Sequence, residues 1–394
     1  MKEITQAALD IEEHVIEMRR HLHMHPEVGC METETTEYIK KELAEIGIPV
    51  ISYDDITGCI GVIEGGRPGK TLMLRADIDA LPIQENTGLP YSSVNDGVMH
   101  ACGHDCHTAM LLGAARILWG NREELCGTVK LIFQMAEEIG RKSEEYVKRG
   151  ALEGVDAIFG MHVWPEMESG TFNFEPGERM ACSDRFTIRI KGMSAHGSAP
   201  HLGKDAVLAA AATVQALQTL TSRVIDPLDA LVVTVGMMNG GTKQNILAGS
   251  AELVGTVRTF NNSFRDCMPE RIGNIAVSTA AAYGCEADCD YYFGPSPLIN
   301  DEKLVSIAMA AGEEVFGREA FCSVIKSMGA EDFSVFMEKV PGVYGYIGTR
   351  NEARGITCTN HNPGFIVDED ILVKGTELYV RFAEKYLDRY TDHY

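Results

Sequence analysis

The feature that most constrains the fold of this chain is the alternation of short apolar segments with segments of helical periodicity. The candidate strands are residues 58–64, 70–76, 128–135 and 156–163, and the candidate helices are residues 4–22, 34–46 and 105–120. Gly47 follows the second helix and predicts its end. Because buried strands that alternate with helices are typical of parallel sheets, the pattern predicts an α/β domain with a mixed, largely parallel sheet flanked by helices.

The middle of the chain shows a different order of elements. The candidates there are a strand at 182–192, a helix at 204–223, strands at 231–238 and 250–260, a helix at 264–282 and a strand at 287–293. This β-α-β-β-α-β order is typical of a small α+β (ferredoxin-like) domain with an antiparallel sheet. The chain has 394 residues, more than the roughly 250–300 at which a single core usually stops growing. We therefore predict a discontinuous larger domain, residues 1–181 and 295–394, with a smaller domain, residues 182–294, inserted into it.

The charge and cysteine content exclude several classes of protein. Lys and Arg number 35 and Asp and Glu 57, a net charge of −22, and such an acidic surface repels the phosphate backbone of nucleic acids. No apolar run approaches the roughly 18 residues that span a bilayer, and the N-terminal segment lacks the apolar core of an export signal. The 11 cysteines are scattered and odd in number, which favours reduced thiols. We predict a cytoplasmic protein with neither a nucleic-acid nor a membrane partner.

The densest group of reactive side chains lies at residues 99–107, just before a predicted helix. The segment MHACGHDCH contains three histidines and two cysteines, and thiolate and imidazole groups are ligands of transition metals. Cys102 and His104 are two positions apart, so in an extended segment they point to the same side. A polar loop with incidental histidines remains the alternative. We interpret the segment as a candidate metal-binding loop.

Other polar residues stand at or near the ends of predicted strands. Glu137 and Glu138 follow one apolar strand, His162 ends another, Asp79 follows a third together with Asp77, and His361 comes after a probable strand and turn; each alone could be a solvated helix start, a core histidine or a turn cap. Two adjacent acids could divide their work, one binding a metal and the other accepting a proton from water.

Together these segments predict one polar site at the top of one sheet. Five potential ligands are too many for one tetrahedral ion and suit two ions about 3.5–4 Å apart. The five are Cys102, His104, Glu138, His162 and His361. A different reading makes Cys102 a nucleophile with His104 or His107 as its base, but it leaves both glutamates and the two later histidines without a role.

The order of these motifs resembles the aminoacylase–carboxypeptidase metallohydrolases, a metallopeptidase and amidohydrolase family. The similarity is greatest to the branch of hippurate hydrolases, N-acetyl-diaminopimelate deacetylases and indole-acetyl-amino-acid hydrolases. The matching segments are RRHLHMHPE (19–27), LRADIDALPI (74–83), MHACGHDCHTAMLLGAA (99–115), FQMAEE (133–138), GMHVWP (160–165), SAHGSAPH (194–201), NILAGSAELVGTVRTF (245–260), MGAEDFS (328–334) and HNPGF (361–365). They extend over nearly the whole chain.

The resemblance implies a role for each matched residue. The five residues named above would bind two divalent ions (Zn, Mn, Co or Ni), and 182–294 would be a lid and dimerisation domain. Glu137 would be the general base, Asp79 a supporting acid near the metals, and His196 would reach the site to support the oxyanion. The candidate substrate-binding residues are Asn245, Arg258, Gly329 and Ala330.

The function that follows is hydrolysis of a linear amide. We expect a metal-dependent amidohydrolase of the aminoacylase type that cleaves N-acyl amino acids or small amino-acid conjugates, using metal-activated water and a glutamate base. A dipeptidase or carboxypeptidase on the same site is one alternative, and a catalytically silent binding protein on the same scaffold is another. The expected partner is a small-molecule substrate, and the resemblance implies a homodimer or a higher homo-oligomer.

Overall fold

The computed structural model describes residues 2–388 of the chain. Its helices are α1 (Lys2–Asp10), α2 (Glu12–Met24), α3 (Thr33–Ile46), α4 (His104–Gly120), α5 (Glu144–Lys148), α6 (Ala206–Leu217), α7 (Asn262–Ala282), α8 (Glu302–Phe316), α9 (Phe333–Met337) and α10 (Ile371–Asp388). Its strands are β1 (Val50–Ile51), β2 (Cys59–Glu64), β3 (Arg67–Asp77), β4 (Cys126–Gln134), β5 (Ala157–Glu168), β6 (Phe172–Asn173), β7 (Gly177–Met180), β8 (Asp184–Lys191), β9 (Leu231–Gly240), β10 (Ser250–Thr259), β11 (Glu286–Tyr292), β12 (Leu298–Asn300) and β13 (Gly342–Arg350).

The chain divides into two compact units. The first contains the described residues as far as Gly177, the segment Ile299–Ile325 and the described residues from Asp332 onward. The second contains Glu178–Leu298 and the short segment Lys326–Glu331. The sequence placed the boundaries at 181/182 and 294/295. It did not include residues 326–331 in the smaller domain, because so short a segment carries no periodicity of its own.

The first unit is built on a seven-stranded sheet with the order β1-β2-β4-β3-β5-β13-β6. The four central strands β4, β3, β5 and β13 are parallel, whereas the flanking pairs are antiparallel. The parallel strands are buried on both faces, as their continuous apolar sequences predict. The predicted mixed, largely parallel sheet is confirmed.

Helices cover this sheet and complete the core of the first unit. Helix α4 is buried along nearly its whole length and packs against α2 and α10. Phe159 of β5 stacks on Phe382 of α10 with ring centroids 4.1 Å apart. Helix α3 ends at Gly47, whose φ of 97° is a left-handed conformation that favours glycine. The predicted helix at 4–22 is in fact two helices separated at Ile11, since apolar spacing continues across a break in the backbone.

The second unit contains a four-stranded antiparallel sheet with the order β11-β8-β10-β9. Helices α6 and α7 pack together and against these strands, and their small and apolar residues form a separate core. Asp205 and Asn261 cap the N-termini of the two helices with their side chains. The predicted β-α-β-β-α-β order is confirmed within this unit.

None of the helices between residues 2 and 388 combines the length and apolar character that a membrane crossing requires.

Candidate metal centre

The candidate site begins at the carboxyl ends of the parallel strands β3 and β4, beside the middle of β5. Strand β3 ends at Asp77, which lies opposite Gln134, the last residue of β4. Strand β5 is the other neighbour of β3. Because parallel strands end at the same edge of the sheet, the residues that follow β3 and β4 are brought beside those of β5. The prediction that His162 ends its strand is wrong: β5 continues to Glu168, and His162 lies within it, opposite Tyr346.

The loop before α4 brings Cys102 and His104 to this edge. Gly103 lies between them with φ of 91°, and a Cβ atom built there would come 2.2 Å from Cγ2 of Val163. Any other residue would therefore push the loop away from β5. As a result, Sγ of Cys102 lies 3.4 Å from Nε2 of His162.

His361 and Glu138 complete the cluster from two further loops. The backbone amide of His361 donates to the carbonyl oxygen of Ala101 at 2.8 Å, which ties its loop to the segment before α4. Its Nε2 lies 3.1 Å from Oε1 of Glu138. This interaction with Glu138 is the main cause of the raised pKa of His361. In addition, the side-chain amide of Asn360 lies 3.6 Å from Sγ of Cys102.

Within residues 2–388, five groups of side chains present ligand atoms that lie within 4.8 Å of one another inside each group, and three of these groups contain at least two of the predicted metal ligands. These three groups are Cys102, His104 and His162; Cys102, Glu138 and His361; and His104, Glu137 and Glu138. The five predicted metal ligands and the predicted base are all among them. Cys102 belongs to two of the groups and so connects the donors of β5 with those of the later loops.

The two histidines nearest Cys102 are oriented as metal ligands would be. Nδ1 of His104 lies 2.9 Å from the backbone oxygen of Asp79 and 3.2 Å from its Oδ1, so this nitrogen carries the proton. Nε2 of His104 is buried and has no hydrogen-bond partner within residues 2–388. His162 donates from Nδ1 to the oxygen of Val163 at 2.6 Å. In both rings the backbone bond uses Nδ1 and leaves Nε2 as the atom that could bind a metal, and the sulfur, nitrogen and carboxylate donors fit a transition-metal ion.

The protonation of the cluster also fits a cation-binding site. Burial raises the pKa of Cys102 well above its usual value, and the charge of Glu138 adds to the effect. Burial likewise lowers the pKa of His162, whereas Asp77, Cys102 and Asp79 together outweigh burial and raise the pKa of His104. Since metal ligands must be deprotonated, binding a cation there would release a proton from the thiol.

Asp79 supports the two glutamates as well as His104. Its Oδ1 accepts from the amide of Glu137 at 3.1 Å, and its Oδ2 accepts from the amide of Glu138 at 3.0 Å. The carboxylate is buried. Asp79 therefore fixes the backbone that carries both acids and orients one imidazole.

Two other histidines of the loop have different surroundings. His107 lies 2.5 Å from Oδ1 of Asp77 through Nδ1 and accepts from the amide of Val163 at 2.9 Å through Nε2. Both of its nitrogens are therefore occupied. His100 is buried, burial lowers its pKa to about 3, and among the described residues it belongs to none of the clusters that could hold a metal. His107 thus reaches the cluster only through its group with Asp77 and His104, in which its Nδ1 is already bonded to Asp77.

Arg75 and Asp77 form a buried ion pair behind this cluster. Nη1 of Arg75 lies 2.7 Å from Oδ2 of Asp77, and both side chains are almost completely buried. Burial alone would raise the pKa of Asp77, but Arg75, His104 and His107 together outweigh it and lower the pKa. Sequence reasoning missed Arg75 and Asn360 as parts of the site, because their partners lie far away in the sequence.

The remaining predicted site residues belong to the second unit. They are His196, Asn245, Arg258, Gly329 and Ala330. The segments of His196 and Asn245 are adjacent, since the amide of Gly197 donates to the oxygen of Asn245 at 2.8 Å. Arg258 lies on β10, opposite Val232 of β9.

Comparison with known proteins identifies the family. Residues 73–385 match the family described as Peptidase family M20/M25/M40. The chain is 39% identical to N-acetyl-L-cysteine deacetylase of Bacillus subtilis, covering 96% of this chain and 89% of that protein. It is 36% identical to thermostable carboxypeptidase 1 of Saccharolobus solfataricus, covering 96% and 97%.

A solved structure gives the same result. The Bacillus subtilis YXEP protein, described as a dinuclear metal binding peptidase from the M20 family, is 37% identical and superposes with a TM-score of 0.85. The match covers 96% of this chain and 99% of that one. Sequence and fold therefore agree over almost the full length, and the chain belongs to peptidase family M20/M25/M40.

Proposed function

We propose that this protein is a metal-dependent amidohydrolase that cleaves the amide bond of N-acyl amino acids or small amino-acid conjugates. The observation that carries the proposal is the position of Glu137, a carboxylate beside a cluster of sulfur, nitrogen and oxygen donors. Its ligand atom lies within 4.8 Å of those of His104 and Glu138. A base next to a cation site is the arrangement that hydrolysis of a stable amide requires.

Five residues would hold two divalent ions. They are Cys102, His104, Glu138, His162 and His361. When bound, the ions would supply Lewis acidity to water and to the scissile carbonyl group. Zinc, manganese, cobalt and nickel all suit this mixture of donors.

Glu137 performs the proton transfers. It accepts a proton from the attacking water and passes it to the leaving nitrogen, because an amine anion is a poor leaving group. Asp79 holds the backbone amide of Glu137 and thereby the direction of its side chain. The products are a free carboxylic acid and a free amino acid.

The second unit contributes to substrate recognition in this proposal. His196 is exposed, and its Nδ1 accepts from the amide of Ser198 at 3.2 Å, which leaves Nε2 free to act as a donor. Such a donor suits the developing oxyanion of the substrate. Asn245, Arg258, Gly329 and Ala330 are the proposed contacts to the rest of the substrate, and the unit would act as a lid.

The names of the relatives support the substrate class. The Bacillus subtilis relative is a deacetylase of N-acetyl-L-cysteine, and an Arabidopsis thaliana relative, 36% identical, is an IAA-amino acid hydrolase. Both names describe an amide on the nitrogen of an amino acid. A second candidate is a carboxypeptidase, because the Saccharolobus solfataricus relative bears that name.

One substrate screen tests the proposal. The protein would be stripped with a chelator, reloaded with zinc, manganese, cobalt or nickel, and assayed for released amine. The substrates would be N-acetyl, N-benzoyl and indole-acetyl amino acids, with dipeptides and N-blocked peptides for the carboxypeptidase alternative. We expect metal-dependent release from N-acyl amino acids. Metal binding without turnover on any substrate would favour a silent binding protein and refute the proposal.

Two finer properties belong to the same proposal. The eleven cysteines are free, which supports a reducing, cytoplasmic location. We also propose a homo-oligomer. Light scattering of the purified protein tests the oligomer directly.

A further inference from the structure

The backbone that leads into the acid pair is held in an unusual way. Strand β4 ends at Gln134, and the next four amides donate to side chains instead of to a neighbouring strand. These bonds run from Met135 to Oη of Tyr146 at 3.2 Å, from Ala136 to Oε1 of Glu32 at 2.8 Å, from Glu137 to Oδ1 of Asp79 at 3.1 Å and from Glu138 to Oδ2 of Asp79 at 3.0 Å. Two buried carboxylates thus hold three successive amides.

The turn at Ala136 needs such support. Its φ is 55°, in the left-handed region that residues other than glycine rarely adopt. Alanine has no polar side chain that could stabilise this conformation locally. The conformation persists because the surroundings impose it, and a change there would turn the two acids that follow.

Both the side chain and the backbone of Glu32 accept hydrogen bonds. Its side chain is buried, and its second carboxylate oxygen, Oε2, accepts from the hydroxyl of Thr57 at 2.6 Å. Its backbone oxygen accepts from the hydroxyl of Thr36 at 2.5 Å, at the start of α3. Glu32 therefore links the first turn of α3, through its backbone oxygen, to Thr57 and the turn at Ala136, through its carboxylate.

We propose that Glu32 is a positioning residue that fixes the left-handed turn at Ala136 and so aims Glu137 and Glu138 at the candidate metal centre. The inference rests on the proposed function only for the roles of those two acids. In this proposal Glu32 acts because its side chain is long enough to make both hydrogen bonds, and its charge is not required.

Two substitutions distinguish the effect of side-chain length from the effect of charge. Glu32→Gln keeps the length, so its oxygen can accept from Ala136 and its amide can donate to Thr57. Glu32→Asp keeps the charge but is one methylene too short to make both bonds. Glu42→Asp is the matched control, because Glu42 is a buried acid of α3 that pairs with His14 on another helix.

The first measurement is independent of turnover. Hydrogen exchange of the peptide spanning residues 135–139 would be followed by mass spectrometry in the metal-free protein. We expect Glu32→Asp to speed exchange of these amides about tenfold, with Glu32→Gln and Glu42→Asp close to the original protein. Thr57→Val, which frees one carboxylate oxygen, should shift exchange in the same direction by less, and it serves if Glu32→Asp does not fold.

The second measurement is the split between kcat and KM in the metal-loaded protein. If Glu32→Asp misplaces the base Glu137, we expect kcat to fall about 100-fold, with KM and metal content nearly unchanged. Glu32→Gln should retain activity within about threefold.

These two measurements decide whether Glu32 is a positioning residue. Unchanged exchange and kcat in Glu32→Asp, or a larger loss in Glu32→Gln than in Glu32→Asp, would overturn the proposal. If the original protein hydrolyses no amide with any metal, the proposed function fails, while the exchange comparison still decides whether Glu32 holds the turn.

Discussion

The backbone amide of Asp332 donates a hydrogen bond to Oε1 of Glu137 at 3.3 Å. Asp332 is buried and bonded to the side chains of Gln134 and Arg75, so this donor is part of the rigid core of the first unit. One carboxylate oxygen of Glu137 is thus held, and the direction of the proposed base depends on two distant segments of the chain.

Glu137→Gln should separate metal binding from catalysis. The amide oxygen of glutamine can still accept from Asp332, but it cannot take a proton from water. We expect kcat to fall by about 10²–10⁴-fold with unchanged metal content, measured by steady-state kinetics and elemental analysis. Glu144→Gln, an acid of α5 outside the site, is the control and should keep full activity. Near-original activity of Glu137→Gln would refute the assignment of the base.

Adjacent arginines of α2 should differ greatly in their contribution to stability. Nε of Arg19 lies 2.8 Å from Oδ2 of Asp105 and both side chains are buried, whereas Arg20 is 46% exposed and pairs with Glu369 at 2.6 Å. We expect Arg19→Leu to lower the free energy of unfolding by about 3–5 kcal/mol, because it removes the arginine partner of a buried carboxylate and leaves His23 to pair with it.

Arg20→Leu is the matched control for that measurement. An exposed ion pair contributes at most about 1 kcal/mol, so its effect on the free energy of unfolding should be small. Urea denaturation of both variants checks the difference. Equal effects of the two substitutions would show that the buried pair has no special role.

Alkylation should distinguish a metal ligand from a nucleophilic cysteine. Burial raises the pKa of Cys102, so without metal its thiol remains protonated and reacts slowly with iodoacetamide at neutral pH. The exposed Cys30 should react first. Peptide mapping of the alkylated protein measures both rates, and Cys30→Ser shows whether modification of Cys30 affects activity. Rapid modification of Cys102 with parallel loss of activity would support the alternative of a cysteine nucleophile.

Acid should weaken the fold through Glu85. Burial alone would raise the pKa of this side chain, but hydrogen bonds from His23, Thr87 and the amide of Ser93 outweigh it and lower the pKa from 4.5 to about 2. A lowered pKa in the folded state contributes stability that is present above about pH 4.5 and lost as the pH falls towards 2.

The measurement is the dependence of Tm on pH in the range between those two values. We expect the fall in Tm to be less steep in Glu85→Gln than in the original protein, because glutamine does not titrate. The exposed Glu13→Gln of α2 is the control and should leave the slope unchanged. An identical slope in Glu85→Gln would contradict the prediction.

Much of the fold could be predicted because its signals are local. The continuous apolar segments that became β4 and β5 and the helical spacing of α3 and α4 reflect burial that repeats along a few neighbouring residues. The break between α1 and α2 and the extension of β5 beyond His162 were not predicted, because neither alters the apolar pattern. Nothing in the local sequence indicates that residues 326–331 belong to the second unit.

The sequence by itself determined which chemical groups this protein carries: the thiol and imidazole of residues 99–107, the paired acids after β4 and two later histidines that the family resemblance singles out. Only the tertiary structure decided that Asp79 would hold both acids and one imidazole, that Asn360 would face Cys102, and that Glu32 would hold the turn at Ala136. The physical reason is that a hydrogen bond between distant segments depends on how elements pack. The residues next to either partner in the sequence therefore give no indication of such a bond.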